Sequence, residues 1–169
     1  MTRNRFVRLL SHLVSGPWTI RRSFPDTALD SIEMAIASGE QSHAAEVRVA
    51  IEHSFSPWAI VVDVVSPRER ALDVFGDLRV WDTEDNNGIL IYVLLADQAV
   101  EIVADRGANR TIPQAVWDKA CELMHDAFQY GSFDEGVIEA VRFLNSELAG
   151  AYPPGDQNPN ELPNRPTIL

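Results

Sequence analysis

The chain has 169 residues, which fits one domain of ordinary size, and 46% of them are apolar. Its formal net charge of -11 argues against nucleic acid as the main partner, because phosphate binding depends on Lys and Arg. A single cysteine excludes an intramolecular disulfide framework, and no apolar run reaches the ~20 residues that a membrane-spanning helix needs. We therefore expect a soluble, cytoplasmic protein without a transmembrane segment.

Residues 1–22 form a basic N-terminal segment that contains five arginines and no acidic residue. Phe6, Leu9, Leu10 and Leu13 follow helical spacing, which predicts a short amphipathic helix. This helix either covers part of the core or places the protein at the periphery of an anionic membrane. A third alternative is docking on a protein partner, itself membrane-associated.

The domain proper is predicted over residues 23–151, and its first element is a helix. Pro25 suits the first turn of a helix, and Leu29, Ile32 and Ile36 share one helical face. Acidic residues in the first half of this segment favour its N-terminal end.

The next elements are a strand and a second helix. From Glu46 to Glu52 apolar and charged residues alternate, which predicts a strand with one buried face. Residues 54–65 have strand propensity but are interrupted by proline and aspartate, so their structure is ambiguous. Ser66 and Glu69 form a capping box that begins a helix. The residues that this helix is expected to bury are Ala71, Leu72, Phe75 and Leu78.

Residues 81–88 form a polar, acidic turn that leads directly into a continuous apolar run, residues 89–95. Such a run is typical of a central strand that is covered on both faces. Asp97 and Gln98 then reverse the chain, and residues 99–105 return as a second strand. Two strong strands with a short link predict a β-hairpin.

Two helices follow the hairpin and close the domain. The first ends at Gly131, and the second begins at a capping box formed by Ser132 and Glu135. The tail, residues 152–169, holds five prolines and little to bury, so we expect it to be disordered. The residues expected in the core are Val116, Trp117, Ala120, Met124, Ala127 and Phe128 of the first helix and Val137, Val141, Leu144 and Leu148 of the second.

Three segments carry a resemblance to a known family. They are residues 81–91, WDTEDNNGILI, residues 100–107, VEIVADRG, and residues 128–136, FQYGSFDEG. Their order is an acidic turn with Asn-Gly, an apolar strand, a charged return strand that ends in Gly, and a helix with an aromatic-Gly end. This order resembles the TPM-domain family over roughly two thirds of the chain.

The resemblance implies an α/β fold in which a central mixed β-sheet is sandwiched by helices. Members of the family include thylakoid-lumen proteins with acid phosphatase activity and a role in photosystem repair, and other members bind calcium. This chain is more similar to the short soluble bacterial members, whose role is not established.

The acidic turn is the strongest candidate for a binding site. Hard cations such as calcium or magnesium prefer several oxygen ligands, and a turn can bring these together. Asp105 ends the return strand, which places it beside the turn if the two strands are antiparallel. The alternative is a solvated turn that its own Asp and Asn side chains stabilise. The predicted metal ligands are Asp82, Glu84, Asp85, Asn86, Asn87 and Asp105.

Arg106, beside the same turn, is the candidate contact for a phosphate group. A bound divalent cation would reverse the negative charge of the turn and polarise a phosphoryl oxygen, while Arg106 held another oxygen. The alternative is a surface ion pair of Arg106 with Glu84 or Asp85, worth only ~0–1 kcal/mol.

Four other residues are interpreted as structural. Cys121 lies on a helix without a histidine at a useful spacing, so we expect a buried thiol rather than a nucleophile. His43 precedes the first strand, where a capping or surface role is expected in preference to a place in a cleft with Glu46. Trp81 and Trp117 are expected in the core.

Two classes of function fit these residues. We favour a non-catalytic interaction domain in which a calcium or magnesium ion shapes the surface that a protein partner binds. The alternative is a metal-dependent acid phosphatase or phosphoesterase. The first is favoured because no residue clearly supplies a general base or a nucleophile.

Overall fold

The computed structural model describes His12 and residues 17–55, 66–154 and 159–169 of the chain. The elements of this part, in chain order, are α1 (Pro17–Ser23), α2 (Asp26–Glu40), β1 (Glu46–Glu52), α3 (Pro67–Asp77), β2 (Gly88–Leu94), β3 (Ala99–Ala104), α4 (Arg106–Thr111), α5 (Gln114–Gln129), α6 (Phe133–Ala151) and β4 (Thr167–Ile168).

The strands of the described residues form one mixed sheet in the order β3-β2-β1-β4. β1 runs parallel to β2, with Glu46 opposite Gly88 at the start of both strands. β3 is antiparallel to β2, which confirms the predicted hairpin. β4 runs parallel to β1 and pairs with it through Thr167 and Ile168.

Helices cover both faces of this sheet, so the predicted α/β/α architecture is confirmed. One face packs on α1, α2, α5 and α6, to which β1 contributes Val47, Val49 and Ile51. The other face packs on α3, and Leu90, Tyr92 and residue Leu162 of the tail belong to that second core. The expectation of one buried face for β1 is wrong, because the tail and α3 also cover its charged side.

Capping explains where two of the helices begin. The Ser66 Oγ accepts from the Glu69 N–H at 3.1 Å, and the Glu69 Oε2 accepts from the Ser66 N–H at 2.9 Å, so the first capping box is confirmed. The second is wrong, although α6 begins where expected: Ser132 makes no side-chain cap bond. Its ψ of 64° departs from the extended backbone that a cap requires.

The face that α3 buries also differs from the prediction. Ala71 and Val74 are buried against the sheet, whereas Leu72 is 49% exposed. Trp81, expected in the core, is 50% exposed, because it follows α3 in the turn rather than on the packed face. Trp117 is buried as expected.

The N-terminal part of the chain packs on the domain through the residues that the structure describes. His12 is buried, with its Nδ1 accepting from the Phe55 N–H at 2.8 Å and its Nε2 3.1 Å from Asp97 Oδ1. Ile20 of α1 belongs to the first core. Apart from His12, the amphipathic helix predicted around Phe6 to Leu13 lies outside the described residues. None of the described helices is both long and apolar enough to cross a membrane.

The expectation of a disordered tail is wrong for residues 159–169. Leu162 is only 7% exposed, and its N–H donates to Glu46 Oε2 at 3.0 Å. The Arg48 guanidinium donates to the Pro163 carbonyl and, at 2.7 Å, to Thr167 Oγ1. The proline-rich composition of the segment does not predict this docking, because the side chains that bind the segment belong to β1, which is distant in sequence. Residues 155–158 lie outside the described part.

Replacing Leu90 by alanine should destabilise the protein by ~2–5 kcal/mol, because this fully buried side chain of β2 leaves a cavity in the second core. The measurement is the free energy of unfolding in urea. Leu72→Ala on the exposed side of α3 is the matched control and should cost under about 1 kcal/mol. Equal losses for the two variants would contradict the burial of β2 on both faces.

Candidate functional site

The acidic turn connects α3 to β2 and is closed by its own hydrogen bonds. The Thr83 Oγ1 accepts from the Asn87 N–H at 3.1 Å, and the Thr83 carbonyl accepts from the Asn86 N–H at 3.2 Å. Asn86 adopts the left-handed region with φ of 53°, which asparagine tolerates better than most residues. The turn therefore has a defined backbone and not only an acidic composition.

The start of α4 lies directly beside this turn. The Asp105 N–H donates to the Gly88 carbonyl at 2.8 Å, and the Gly107 N–H donates to the Asn86 carbonyl at 3.0 Å. A β-carbon on Gly107 would lie 2.5 Å from the Asn86 oxygen, so only glycine permits this approach. The prediction that Asp105 lies beside the acidic turn is confirmed.

The predicted metal ligands share this neighbourhood but differ in exposure. Four of them have exposed side chains, whereas Asn87 is 2% and Asp105 is 8% exposed. Within the described residues no three His, Cys, Asp or Glu side chains are grouped so that they could hold a metal ion. The metal site therefore stays a prediction. The exposed four are Asp82, Glu84, Asp85 and Asn86.

The two buried members of the set each carry an oxygen without a donor. Asn87 donates from Nδ2 to the Ala44 carbonyl at 2.6 Å, while its Oδ1 accepts from no described residue. Asp105 accepts from the Arg106 N–H through Oδ1 at 2.6 Å, while its Oδ2 has no partner among the residues that the structure describes. Buried acceptors without partners are rare, and a hard cation satisfies such oxygens. The residue types and these two atoms fit a calcium or magnesium ion.

Two further acidic residues adjoin the turn, and sequence reasoning missed both as part of the site. The Glu84 N–H donates to the Glu161 carboxylate at 3.1 and 3.3 Å, which brings the tail onto the turn. Glu46 lies opposite Gly88 in the sheet and is buried. Both residues are far from the turn in sequence, so no local pattern could indicate them.

Burial changes the acidity of the carboxyl groups at this end of the sheet. The pKa of Glu40 is raised from 4.5 to about 7, first by burial and then by the charge of Glu46. Burial also raises the pKa of Glu46. The hydrogen bonds that Glu40 accepts from the Val47 N–H and from Asn164 lower its pKa but do not offset burial.

The remaining candidates are not placed for chemistry at the turn. Cys121 is partly buried, and burial raises the pKa of its thiol to about 11, so it is protonated near neutral pH. His43 is fully buried, which corrects the expected surface position. Its Nε2 lies 3.1 Å from Asn145 Oδ1, and burial lowers its pKa. Arg106 is exposed and forms no ion pair with any described residue, so the alternative of a surface pair with Glu84 or Asp85 is not observed, and the phosphate contact stays a prediction.

Comparison with known proteins identifies relatives that share this fold, and the matched region contains the acidic turn. Residues 23–147 match the family model of the TPM domain. The NMR structure of the BA42 protein from the psychrophilic bacterium Bizionia argentinensis has a TM-score of 0.75 with this chain at 27% sequence identity. The match covers 85% of this chain and 93% of BA42. No protein among those with curated descriptions matches the chain significantly.

Gly107→Ala should destabilise the protein by ~1–3 kcal/mol, because the new β-carbon meets the Asn86 and Asp85 carbonyl oxygens. The measurement is the free energy of unfolding, with amide chemical shifts of the turn as a local readout. Gly76→Ala is the control, because no atom of the described residues lies within 4 Å of its added β-carbon. That variant should gain ~0.5–1 kcal/mol from its helical position. A neutral Gly107→Ala would contradict the close contact of α4 with the turn.

The raised pKa of Glu40 predicts a specific dependence of stability on pH. The folded state binds this proton more tightly than the unfolded state, so stability falls as pH rises from 4.5 to about 7. The glutamine in Glu40→Gln does not titrate in this range. The stability of the variant relative to the wild type should therefore increase as pH rises from about 5 to about 8. Thermal or urea midpoints at both pH values provide the measurement.

The control for the Glu40 experiment is Asp73→Asn, which removes the same charge from an exposed position on α3. This variant should not show the relative gain with rising pH. An identical pH response in the two variants would mean that general charge repulsion, rather than the buried carboxyl, causes the effect.

Proposed function

Because the chain belongs to the TPM domain family, we propose that it is a non-catalytic interaction domain whose acidic turn binds a divalent cation, with calcium preferred. The observation that supports this proposal is the pair of buried, unpartnered oxygens, Asn87 Oδ1 and Asp105 Oδ2. Their residues flank Gly88: Asn87 is its neighbour in the chain, and the Asp105 N–H donates to its carbonyl. The exposed carboxylates of the turn precede Asn87 by two to five positions in the sequence.

The chemistry of these ligands favours calcium over magnesium. Calcium accepts six to eight oxygens in flexible geometry, including amide and main-chain carbonyl oxygens, whereas magnesium requires a near-octahedral set. The two buried oxygens belong to packed side chains, while the side chains of Asp82 and Asp85 are exposed to solvent. A site that combines buried and exposed ligands in irregular geometry suits the less demanding cation.

The backbone of the turn is held in place by hydrogen bonds, which supports a binding surface rather than a conformational switch. Hydrogen bonds tie it to α4 through Asn86 and to the segment before β1 through Asn87. A cation would therefore order the side chains of the turn without rearranging the fold. It would also turn a repulsive acidic patch on a chain of net charge -11 into a surface that a protein partner can approach.

Phosphoester hydrolysis is the alternative, and it requires a nucleophile, which is either a side chain of the protein or a water molecule that the cation and a general base activate. The one hydroxyl within the turn, that of Thr83, is buried and accepts the Asn87 N–H. Cys121 is a protonated thiol near neutral pH. Arg106 is exposed beside the turn and is a suitable phosphate contact, but it supplies neither base nor nucleophile. Binding is therefore the better-supported function.

Calcium should raise the thermal midpoint of the wild type and leave that of Asp82→Asn/Asp85→Asn unchanged. An ion bound only by the folded state stabilises it by about 2.7 kcal/mol at a hundredfold excess over the dissociation constant. In chelator the same double variant should melt above the wild type, because two repelling charges are removed. Scanning calorimetry with and without calcium provides the measurement.

The matched control is Asp73→Asn/Asp126→Asn, which removes two exposed charges outside the turn and should retain the calcium response. If millimolar calcium shifts neither the midpoint nor the amide signals of residues 82–88 in the wild type, the cation site is excluded. Hydrolysis of a phosphate monoester that requires calcium or magnesium and is lost in the Asp82/Asp85 variant would establish the alternative function.

A further inference from the structure

Within the part of the chain that the structure describes, the outer edge of β1 is paired only in part. All seven residues of β1 are buried, yet among the described residues only Ala50 and Ile51 pair with a strand on the side away from β2, which is β4. One further main-chain bond follows, from the Leu169 N–H to the Ile51 carbonyl at 2.9 Å. An edge of this kind is where an extended segment adds to a sheet.

Two charged side chains of β1 extend this edge by binding the main chain of residues 159–169. Glu46 accepts the Leu162 N–H at 3.0 Å, and Arg48 donates to the Pro163 carbonyl. Both interactions use backbone atoms of the segment. Any extended chain that presents an N–H and a carbonyl at this spacing can make them, whatever its side chains.

Side chains of the segment add selectivity to this recognition. Leu162 enters the second core, and Pro166 is buried four residues later. Arg165 lies 2.7 Å from Asp30 and 2.9 Å from Glu33 on α2. The ligand chemistry that the edge accepts is therefore a leucine, a basic residue three positions on, and a proline immediately after it.

The main-chain pairing of the segment with the sheet is short. Its ladder is two residues long, and the Arg165 ion pairs are exposed to solvent, which weakens them. Its docking also helps to bury Glu40, which accepts from Asn164 at 2.7 Å, and Glu46, which accepts from Leu162. Burying two carboxyl groups carries a cost that release of the segment relieves.

We propose that the edge of β1, with Glu46 and Arg48, is a docking site for an extended peptide of another chain, and that residues 159–169 are its intramolecular occupant. The incoming peptide has the Leu-x-x-Arg-Pro chemistry of the segment and replaces it by strand addition. Release of the segment frees the site, so the tail sets the threshold that a partner must exceed. The proposal goes beyond the cation site and does not depend on it.

The test uses the full chain and a labelled synthetic peptide with the sequence of residues 159–169, in chelator. A tethered segment competes at an effective concentration in the millimolar range, so the wild type should bind the peptide weakly. Leu162→Asp in the chain displaces its own segment and leaves the β1 edge intact. By fluorescence anisotropy this variant should bind the peptide at least about tenfold more tightly than the wild type.

Three controls define the result. Leu72→Asp makes the same change at an exposed position and should bind like the wild type. Adding Arg48→Ala to Leu162→Asp should abolish binding, because the contact to the peptide carbonyl is lost. A peptide in which serine replaces the leucine and the proline should not bind.

A second variant, Leu169→Pro, is used if Leu162→Asp fails to fold. It releases the segment by removing the N–H that donates to the Ile51 carbonyl. Amide exchange of Thr167 and Ile168 reports release, and amide shifts of Ala50 and Ile51 report peptide docking. If the segment is released and millimolar peptide neither binds nor shifts those amides, the proposal is wrong. It is equally wrong if the segment stays protected from exchange in both variants, because the site is then permanently closed.

Discussion

The burial of three charged side chains on one face of β1 is the constraint on which the rest of the structure depends. Glu46, Arg48 and Glu52 alternate with the apolar residues of β1, and all three are buried. A buried charge is tolerated only when it is paired or hydrogen-bonded. Each of these side chains therefore determines what must lie above it.

Glu52 is satisfied by the second layer of the fold. It accepts the Tyr92 hydroxyl at 2.5 Å and two bonds from the Arg70 guanidinium at 3.0 and 3.3 Å, which ties α3 to β1 and β2. Arg48 and Glu46 instead require the tail, whose main chain supplies the carbonyl and the N–H that they bind. The position of α3 and the course of the tail thus follow from one alternating strand.

The sequence predicts those parts of the fold that local signals determine. The capping box at Ser66 and the apolar run that forms the first strand of the hairpin are signals within a few residues, and the structure confirms both. The docking of Leu162 depends on Glu46, 116 positions earlier, and on main-chain atoms, so neither composition nor periodicity indicates it. The same holds for His43, which is buried because Asn145 of α6 lies against it.

The candidate site divides in the same way. The antiparallel return of β3 suffices to predict that Asp105 lies beside the acidic turn. The free oxygens of Asn87 and Asp105 were not predictable, because they depend on which partners the other atom of each side chain finds. The contact of Glu161 with Glu84 is not predictable from the sequence, because the proline-rich composition of the tail indicates disorder.

Glu161 connects the acidic turn to the edge of β1. Its carboxylate lies on the Glu84 N–H, and the next residue, Leu162, binds Glu46, so the docked segment holds an extra negative charge against the turn. A cation at the turn would be attracted by that charge, whereas the turn without a cation repels it. If the turn binds calcium, the bound ion therefore stabilises the docked state of the segment. A peptide that displaces the segment then lowers the affinity of the turn for calcium. Linkage requires these two effects to be equal in free energy, so an incoming peptide with an acidic residue before its leucine would preserve calcium binding and one without it would not.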